Sequence, residues 1–419
     1  MNQLRHLTVE VLDNWDEVRR IYAEWGRILD AAPSLSIFST HEWLEAWWES
    51  YGAGASLKFL VMRDDSRSIA AMAPLYVTVV ASLIGRLRLA RLVGDGSGDS
   101  DGLGLICLPG RENEAARAIL HWITTSSCCD ICQLNTLSAT SALATVLERR
   151  LEKSFWAKSY FERPQVVVAL PTTWGEYLKQ LSRNERGNIG KFTRRLEKDF
   201  ATEYVRLSSL ADLDARLDRL FELHRMRWAQ RNEAGSFAVA ERRTFYRKVA
   251  ANFLARGWLE FWFLELDKEQ VAAQFAFAYR NVAYGLQEGR DPKFSSLSIA
   301  YVLRSHILRR MIEIGVRKYD FLGGGGESKL RWGGEQYRYL DIHFASRLSR
   351  GGIFLACRAI AQTSKSLGRA FLPPKIWRIV KRVVAKSPTE HAAVQMGQDA
   401  SALSYRDSPT QPPRLSIWA

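Results

Sequence analysis

The run Tyr319–Trp332, YDFLGGGGESKLRW, concentrates more chemistry than any other part of the chain. Its apolar lead reads as the end of a strand, so Asp320 stands at a strand end just before the four glycines 323–326. A carboxylate there suits a general base or an anchor for a substrate amine. The competing role is an acceptor for the loop's own amides. Lys329 is placed to hold a phosphate or carboxylate, or else is a solvated loop lysine. Glu327, in the same run, and Glu288, at the end of an earlier strand, are further candidates for proton transfer. Tyr284, inside that earlier strand, has a phenol able to protonate a leaving thiolate, although a buried strand tyrosine is the commoner outcome. Acyl transfer to an amine asks for this inventory: a neutral amine, a group to take its proton, and donors at the tetrahedral oxyanion. The glycines make neither a phosphate loop nor a dinucleotide fingerprint, because no Gly-Lys-Ser/Thr or GxGxxG context follows them.

The elements that must position these residues can be read from periodicity. Trp258–Leu266, Val271–Tyr279 and Val282–Glu288 read as three strands. The loop 289–296 then leads into a helix with a stripe of Ala300, Leu303, Ile307, Met311 and Ile314, closed by Gly315. Val316–Leu322 is the next strand and Gln336–Phe344 the last. Three antiparallel strands, a loop, a helix and a further strand suit an acyl-CoA, and the same order is shared by many other α+β domains. A loop feeding a helix start offers free N–H groups and the positive end of the dipole to a pyrophosphate. Ser295, Ser296 and Ser298 stand at that start. A strand splaying from its neighbour would leave the backbone at Leu286 and Gln287 for the pantetheine amides.

Earlier, Pro164 opens this half, and Ser182–Glu185 reads as a capping box. The helix it starts buries Ile189, Phe192 and Leu196 and shows Arg183, Arg186, Arg194 and Lys198. A second helix carries Leu213, Leu217, Leu220, His224 and Trp228 on one stripe, which makes His224 a core histidine before a ligand. A third runs over 240–256. Gln274 is a polar residue in an apolar strand and needs partners, substrate among them. The N-terminal half reads as a helix over 13–29, a second after Ser39 or Thr40 with Trp43, Trp47 and Tyr51, and strands at 57–62, 69–80, 87–93 and 103–108. A helix (112–124), a strand (130–135) and a helix (141–151) follow.

Several blocks resemble the FemAB-related, CelD-like acyltransferases of the N-acetyltransferase (GNAT) superfamily. The first is Asp320-Phe321-Leu322-x-Gly324-x-x-Glu327-x-Lys329-x-x-Trp332. Others are His224-Arg225-x-Arg227-Trp228, Val271-Ala272-x-Gln274 and Gly289-Arg290-Asp291-Pro292. In the first half, Phe38-Ser39-Thr40-His41-Glu42-Trp43 with Trp47-Trp48, and Ala73-Pro74-Leu75-Tyr76, are similar too. The resemblance implies an α/β (α+β) protein of two tandem GNAT-like halves, each a mixed, largely antiparallel sheet with flanking helices, with transfer chemistry in the second. It implies acetyl-CoA or another acyl-CoA as donor and no metal. Asp320, Lys329, Glu327, Glu288 and Tyr284 would be catalytic candidates, and Gln274, His224 and Trp332 substrate-binding ones. Acceptors would be sugar or amino-acid precursors of envelope or exopolysaccharide. Two departures stand out: Ser295-Ser296-Leu297-Ser298 replaces a Ser-Pro-Gly-type helix start, and Ser328 replaces the aromatic residue that commonly precedes the signature lysine. FemAB-type aminoacyl transfer from aminoacyl-tRNA and a non-catalytic scaffold in a polysaccharide complex are the alternatives, and tRNA enters as a partner only under the former.

The bulk figures bound the rest. A chain of 419 residues exceeds one ordinary core. The boundaries expected are 1–160, 161–350, a basic amphipathic helical segment 351–386, and a disordered tail 387–419. Of the net charge of +14, ten positive residues lie between 342 and 389 with no acidic one, leaving about +4 elsewhere. A general nucleic-acid binder is therefore disfavoured. The basic segment, with Ile353-Phe354-Leu355-Ala356 and Ile376-Trp377, is expected either to contact an anionic inner-membrane surface as two short helices broken at Pro373-Pro374, or to pack on the body. Cys107, Cys128, Cys129, Cys132 and Cys357 make no disulfide framework and lack a fourth metal ligand at usable spacing. The uncharged run 68–85 contains Pro74 and β-branched residues and reads as strand before membrane span. The polar start MNQLRHLTVE carries no secretory pattern, so a cytoplasmic location is expected.

Overall fold

The computed structural model describes residues 7–371 apart from 83, 154, 155, 231 and 325, with the backbone alone at 152–153, 156–159 and 361–371. The expected tail and the second part of the basic segment lie outside the described residues. The described residues form two compact units: one of those up to Trp48, Gly52–Arg163 and those from Arg338 to Phe371, the other of those in Glu49–Tyr51 and Pro164–Tyr337.

The first unit begins with β1 (Thr8–Leu12), α1 (Trp15–Arg19), α2 (Tyr22–Ala31) and α3 (His41–Tyr51). The helix expected over 13–29 is broken: Arg20 and Ile21 close α1 through backbone bonds of 3.2 and 3.1 Å to Glu17 and Val18. The apolar stripe of Val18, Trp25 and Ile28 stays buried across the break, so periodicity alone could not reveal it. Thr40 caps α3 by accepting from the Trp43 amide. Next come β2 (Ser56–Arg63), β3 (Ile69–Ser82), β4 (Gly85–Leu92), β5 (Ile106–Cys107), α4 (Glu112–Thr125), β6 (Ile131–Ser138), α5 (Ala142–Lys153) and β7 (Trp156–Ala169). The uncharged run 68–85 is mostly strand β3, not a span.

The second unit holds α6 (Trp174–Gln180), α7 (Arg183–Asp199), β8 (Thr202–Arg206), α8 (Leu213–Ala229), α9 (Ala240–Ala255), β9 (Leu259–Leu266), β10 (Glu269–Tyr279) and β11 (Val282–Arg290). α10 (Ile299–Glu313), β12 (Lys318–Gly323), α11 (Glu327–Leu330), β13 (Glu335–Ser346) and α12 (Arg350–Phe371) complete the chain. The full capping box is Thr173–Glu176 at α6. At α7 only half the expected box forms. Ser182 accepts from the Glu185 amide, but the Glu185 carboxylate accepts instead from the Tyr301 hydroxyl at 2.6 Å.

The two units follow one strand plan. In the first, β1-β2-β3-β4 run antiparallel, β4 meets β6 in parallel, and β6 pairs antiparallel with β13. In the second, β8-β9-β10-β11 run antiparallel, β11 meets β12 in parallel, and β12 pairs antiparallel with β7. The final strands are exchanged. Tyr339–Phe344 of β13, expected to close the second half, pair with β6 of the first unit, whereas Gln165–Ala169 of β7 close the second. Both faces of the second sheet are covered. Phe275 and Phe277 meet the α9 aromatics Tyr246 and Phe253, and Ala272, Leu264 and Tyr319 pack with Val302, Leu303 and Ile307 of α10.

α12 runs unbroken through Phe371, so the part of the basic segment that can be described is one long helix rather than a short one. Its start is built into the first unit. A Cβ at Gly351 would stand 2.0 Å from the Asp130 carbonyl, and Leu355 is buried with Leu87, Leu89 and Ile131. Ile353 and Ile360 remain exposed. Among the described residues no helix is long and apolar enough to cross a membrane.

Candidate active site

The parallel junction of the second unit is short. β11 and β12 pair only from Val282 with Lys318 to Tyr284 with Asp320. β11 continues to Arg290, held on its other side by β10, and the register there jumps from Phe275–Gln287 to Ala276–Gly285, leaving Leu286 as a bulge. From Gly285 onward the β12 side of β11 has no ladder partner in the register. The two strands form a wedge, with the bulge turning its backbone, and α10 follows β11 after a 3-10 helix over Pro292–Leu297.

Two carboxylate clusters flank this wedge. In the first, Asp320 is buried and its oxygens accept from the Leu322 amide at 2.8 Å and from Gln165 Nε2 at 2.5 Å. The first bond shapes the chain: Leu322 takes φ +59°, and the β7–β12 register shifts at this point. Asp320 therefore organises the turn from a buried position at the end of the β11–β12 ladder. Its register partner Tyr284 is buried against Phe277. Lys329 reaches back from α11 and donates to the carbonyls of Phe321, Leu322 and Gly323 at 2.8, 3.3 and 2.8 Å. An ammonium with this many carbonyl acceptors closes the glycine turn, so Lys329 is a positioning residue here. Glu327 is exposed at the start of α11.

The second cluster centres on Glu288. Its carboxylate meets Arg227 of α8 at 2.9 Å and is bonded also by Arg304 of α10. Burial acts to raise its pKa, but Arg304, then Arg227, Arg290 and Lys329 hold it down at about 2. A carboxylate held ionised by this many cations is a weak proton acceptor at neutral pH, which disfavours Glu288 as a general base. Gly289 makes the arrangement possible, because a Cβ there would stand 2.8 Å from His224 N and Leu223 Cβ. α8 thus lies against β11 and carries Arg227 to Glu288.

Gln274, across the ladder from Glu288, is buried and donates to the Tyr319 hydroxyl at 2.6 Å. Periodicity offered no reason to single out Tyr319. Its hydroxyl stands 2.5 Å from where a Cβ on Gly285 would lie, which puts it at the vertex of the wedge. Burial raises its pKa to about 12, against the lowering effect of Arg304. With Gln274 donating to it, its own O–H proton remains to be donated. Gly285, between the larger Tyr284 and Leu286, was the available signal.

The other expected residues scatter. Leu286 is the bulge and Gln287 follows it. Ser295 is exposed and donates to the Pro292 carbonyl at 2.7 Å, and Ser296 is exposed. Ser298 sits at φ +56°, ψ +37°, the left-handed conformation a glycine would take, and makes no side-chain cap. The first turn of α10 holds no acidic residue. Trp332 is in the core, 1% exposed, tilted against Tyr301 at 4.6 Å, so it does not face a substrate. His224 is buried, and its Nε2 accepts from Trp228 Nε1 at 2.8 Å. Burial, then Arg227 and Arg242, push its pKa to about 3, so it is a neutral core histidine. Of the four basic residues expected on α7, Arg186 donates to carbonyls at the end of α6, including Leu181 at 3.2 Å. The five cysteines are free thiols, and among the described residues no group of three metal-capable side chains occurs.

The first unit has a matching parallel junction, Leu89–Ala90 with Ile131–Cys132, but side chains bridge the gap beyond it. Arg91 donates to Gln133 at 2.9 and 2.7 Å, and Asn135 donates to Asp95 at 2.9 and 3.1 Å. Its following helix, α4, opens with Glu112 and Glu114, which would repel a diphosphate.

Residues 183–339 match the family described as "Acetyltransferase (GNAT) domain". No curated protein matches the chain. Among solved structures, FemX is similar with a TM-score of 0.54 at 12% identity, over 77% of this chain and 95% of that one. A conserved protein of unknown function from Bacteroides thetaiotaomicron gives 0.50 at 11% identity, over 81% and 100%. Likeness at these identities is one of fold. The second unit of this mixed α/β protein thus carries nearly all of the segment that matches the GNAT acetyltransferase domain.

Proposed function

We propose that the protein is an acyltransferase whose second unit binds an acyl-CoA, acetyl-CoA foremost, along the β11–β12 wedge. The observation that carries this is the wedge itself: paired for three residues, bulged at Leu286, and followed by a helix start with no acidic residue, inside the segment that matches the GNAT domain. Leu286 and Gln287 would offer backbone groups to the pantetheine, and the amides at the start of α10 would face the pyrophosphate. Ser298 supports catalytic competence, since it supplies the backbone shape of the missing glycine and so weakens the scaffold alternative. Asp320 is the candidate to accept the proton of an acceptor amine, and the Tyr319 hydroxyl, more than Tyr284, is placed to meet the leaving thiolate. The acceptor is proposed to be a sugar or amino-acid precursor of envelope or exopolysaccharide, on the motif resemblance. Transfer of an aminoacyl group from aminoacyl-tRNA is favoured by the FemX-like fold and by the exposed Arg183, Arg194 and Lys198 of α7. Contact of the basic C-terminal segment with an anionic membrane is part of the proposal.

Calorimetric titration of the full chain with acetyl-CoA and with coenzyme A tests the donor. Binding is expected, and Ser298→Asp, which places a negative charge at the helix start, should weaken it at least tenfold. Equal binding by Ser298→Asp would put the site elsewhere, and absence of binding by the parent would favour the tRNA reading.

A further inference from the structure

The Glu288 cluster is unbalanced in charge. One carboxylate faces two guanidinium groups that reach it from α8 and α10, helices covering opposite faces of the sheet. Arg290 and Lys329 add to the same positive field. The cluster lies beyond the last β11–β12 pair, inside the wedge, and water reaches it: the side chains of Arg227, Glu288 and Arg304 are 28%, 27% and 19% exposed. Arg304 is stiffened by aromatic faces, its guanidinium carbon 5.3 Å from the Phe321 ring and 6.0 Å from the Trp332 ring. Its Nε is buried and has no hydrogen-bond partner among the described residues. Arg227 is fixed by the close α8–β11 approach at Gly289 and donates also to the Glu288 carbonyl at 3.5 Å. Two pre-positioned forks on one carboxylate form a receptor for a planar or tetrahedral anion.

We propose that Arg227 and Arg304 bind an anionic group, a carboxylate or a phosphate, of one of the two substrates, and that Glu288 holds the guanidinium pair in place until that group arrives. Only the identity of the ligand as a substrate rests on the acyl-transfer reading. The excess positive charge would also disfavour the ammonium form of an acceptor amine and so ease its deprotonation.

The test uses the full chain and inorganic phosphate as probe, by calorimetry, with thermal midpoints recorded for each variant. The parent should bind phosphate. Arg227→Gln and Arg304→Gln should each weaken it by about tenfold or more, while Glu288→Gln should strengthen it several-fold by removing the competing carboxylate. Absence of phosphate binding by the parent overturns the proposal. So does unchanged affinity in a folded arginine variant, or weakening by Glu288→Gln. If Arg304→Gln does not fold, the variants of the partly exposed Arg227 and Glu288 decide. Repeating the titration with coenzyme A bound separates the sources. Exclusion of phosphate by coenzyme A assigns the anion to the donor, the 3′-dephospho form telling its 3′-phosphate from its pyrophosphate, and simultaneous binding assigns it to the acceptor. Phosphate binding without coenzyme A binding would leave this site standing and remove the acyl-CoA reading.

Discussion

At the scale of single residues, the signature motif divides into groups that shape the turn and groups that can act on a substrate. Asp320 belongs to both, since its oxygens hold Leu322 and Gln165 and its carboxylate is buried at the wedge strand. Asp320→Asn would set an amide N–H against one of two donors. We expect it to lower stability by about 1–3 kcal/mol and, if Asp320 is the base, turnover by roughly 10²-fold. Denaturant midpoints and steady-state rates on the same sample separate these effects. Lys329→Ala should chiefly destabilise the turn, with lost activity partly restored by Lys329→Arg. Acid sensitivity follows from depressed pKa values, those of His224 and Glu288 among them. His224, at about 3 folded against an ordinary 6.5, and Glu288, at about 2 against 4.5, each stabilise the fold above the unfolded value and lose that contribution as pH falls. The midpoint should therefore drop in two windows, from about 6.5 downward and from about 4.5 towards 2. Glu288→Gln should flatten the lower one only, as urea titrations across pH would show.

At the scale of elements, the join between β11 and α10 is the sensitive part. Ser298 is held left-handed, which costs a non-glycine residue about 1 kcal/mol. Ser298→Gly should raise stability by roughly that amount, less the added freedom of the unfolded chain, and leave coenzyme A binding intact. An unaltered or lower thermal midpoint would mean that the serine hydroxyl compensates. Gly285→Ala is expected to act in the opposite sense, because its Cβ meets the Tyr319 hydroxyl at 2.5 Å. The phenol would be driven from the vertex. Motif reading reached the β11–loop–α10–β12 order and the departure at 298, yet it selected Tyr284 as the phenol. Alternation in a strand tells which residues share a face but not which face meets the wedge, and Tyr319 became visible only with the register.

At the scale of the whole molecule, the start of the basic C-terminal segment packs in the first unit, and the membrane contact proposed for the segment can be tested apart from that packing. A chain ending at Arg350 loses the burial of Leu355, about 1.5–3 kcal/mol, and should melt lower than the full chain. A chain ending at Phe371 keeps that contact but lacks Lys375, Arg378, Lys381, Arg382 and Lys386. We expect it to stay folded and to lose co-sedimentation with anionic phosphatidylglycerol vesicles at low salt, where the full chain binds. Equal sedimentation of both would end the membrane proposal.

The sequence by itself determined the kinds of element and most of their order, because apolar periodicity, caps and glycines are local: α3 after Thr40, β9 to β11, the α10 stripe and its end at Gly315. It also placed Asp320 and Lys329 together through motif spacing. It did not determine the break between α1 and α2, since the stripe continues through it, nor the true capping box at Thr173. Above all it did not determine which strands β7 and β13 pair with. A strand's alternation is the same beside either neighbour, and only long-range pairing sent β13 to β6 and β7 to β12. The Arg227–Glu288–Arg304 cluster likewise depends on two helices and a strand far apart in the chain, brought together by a glycine whose missing Cβ lets α8 approach.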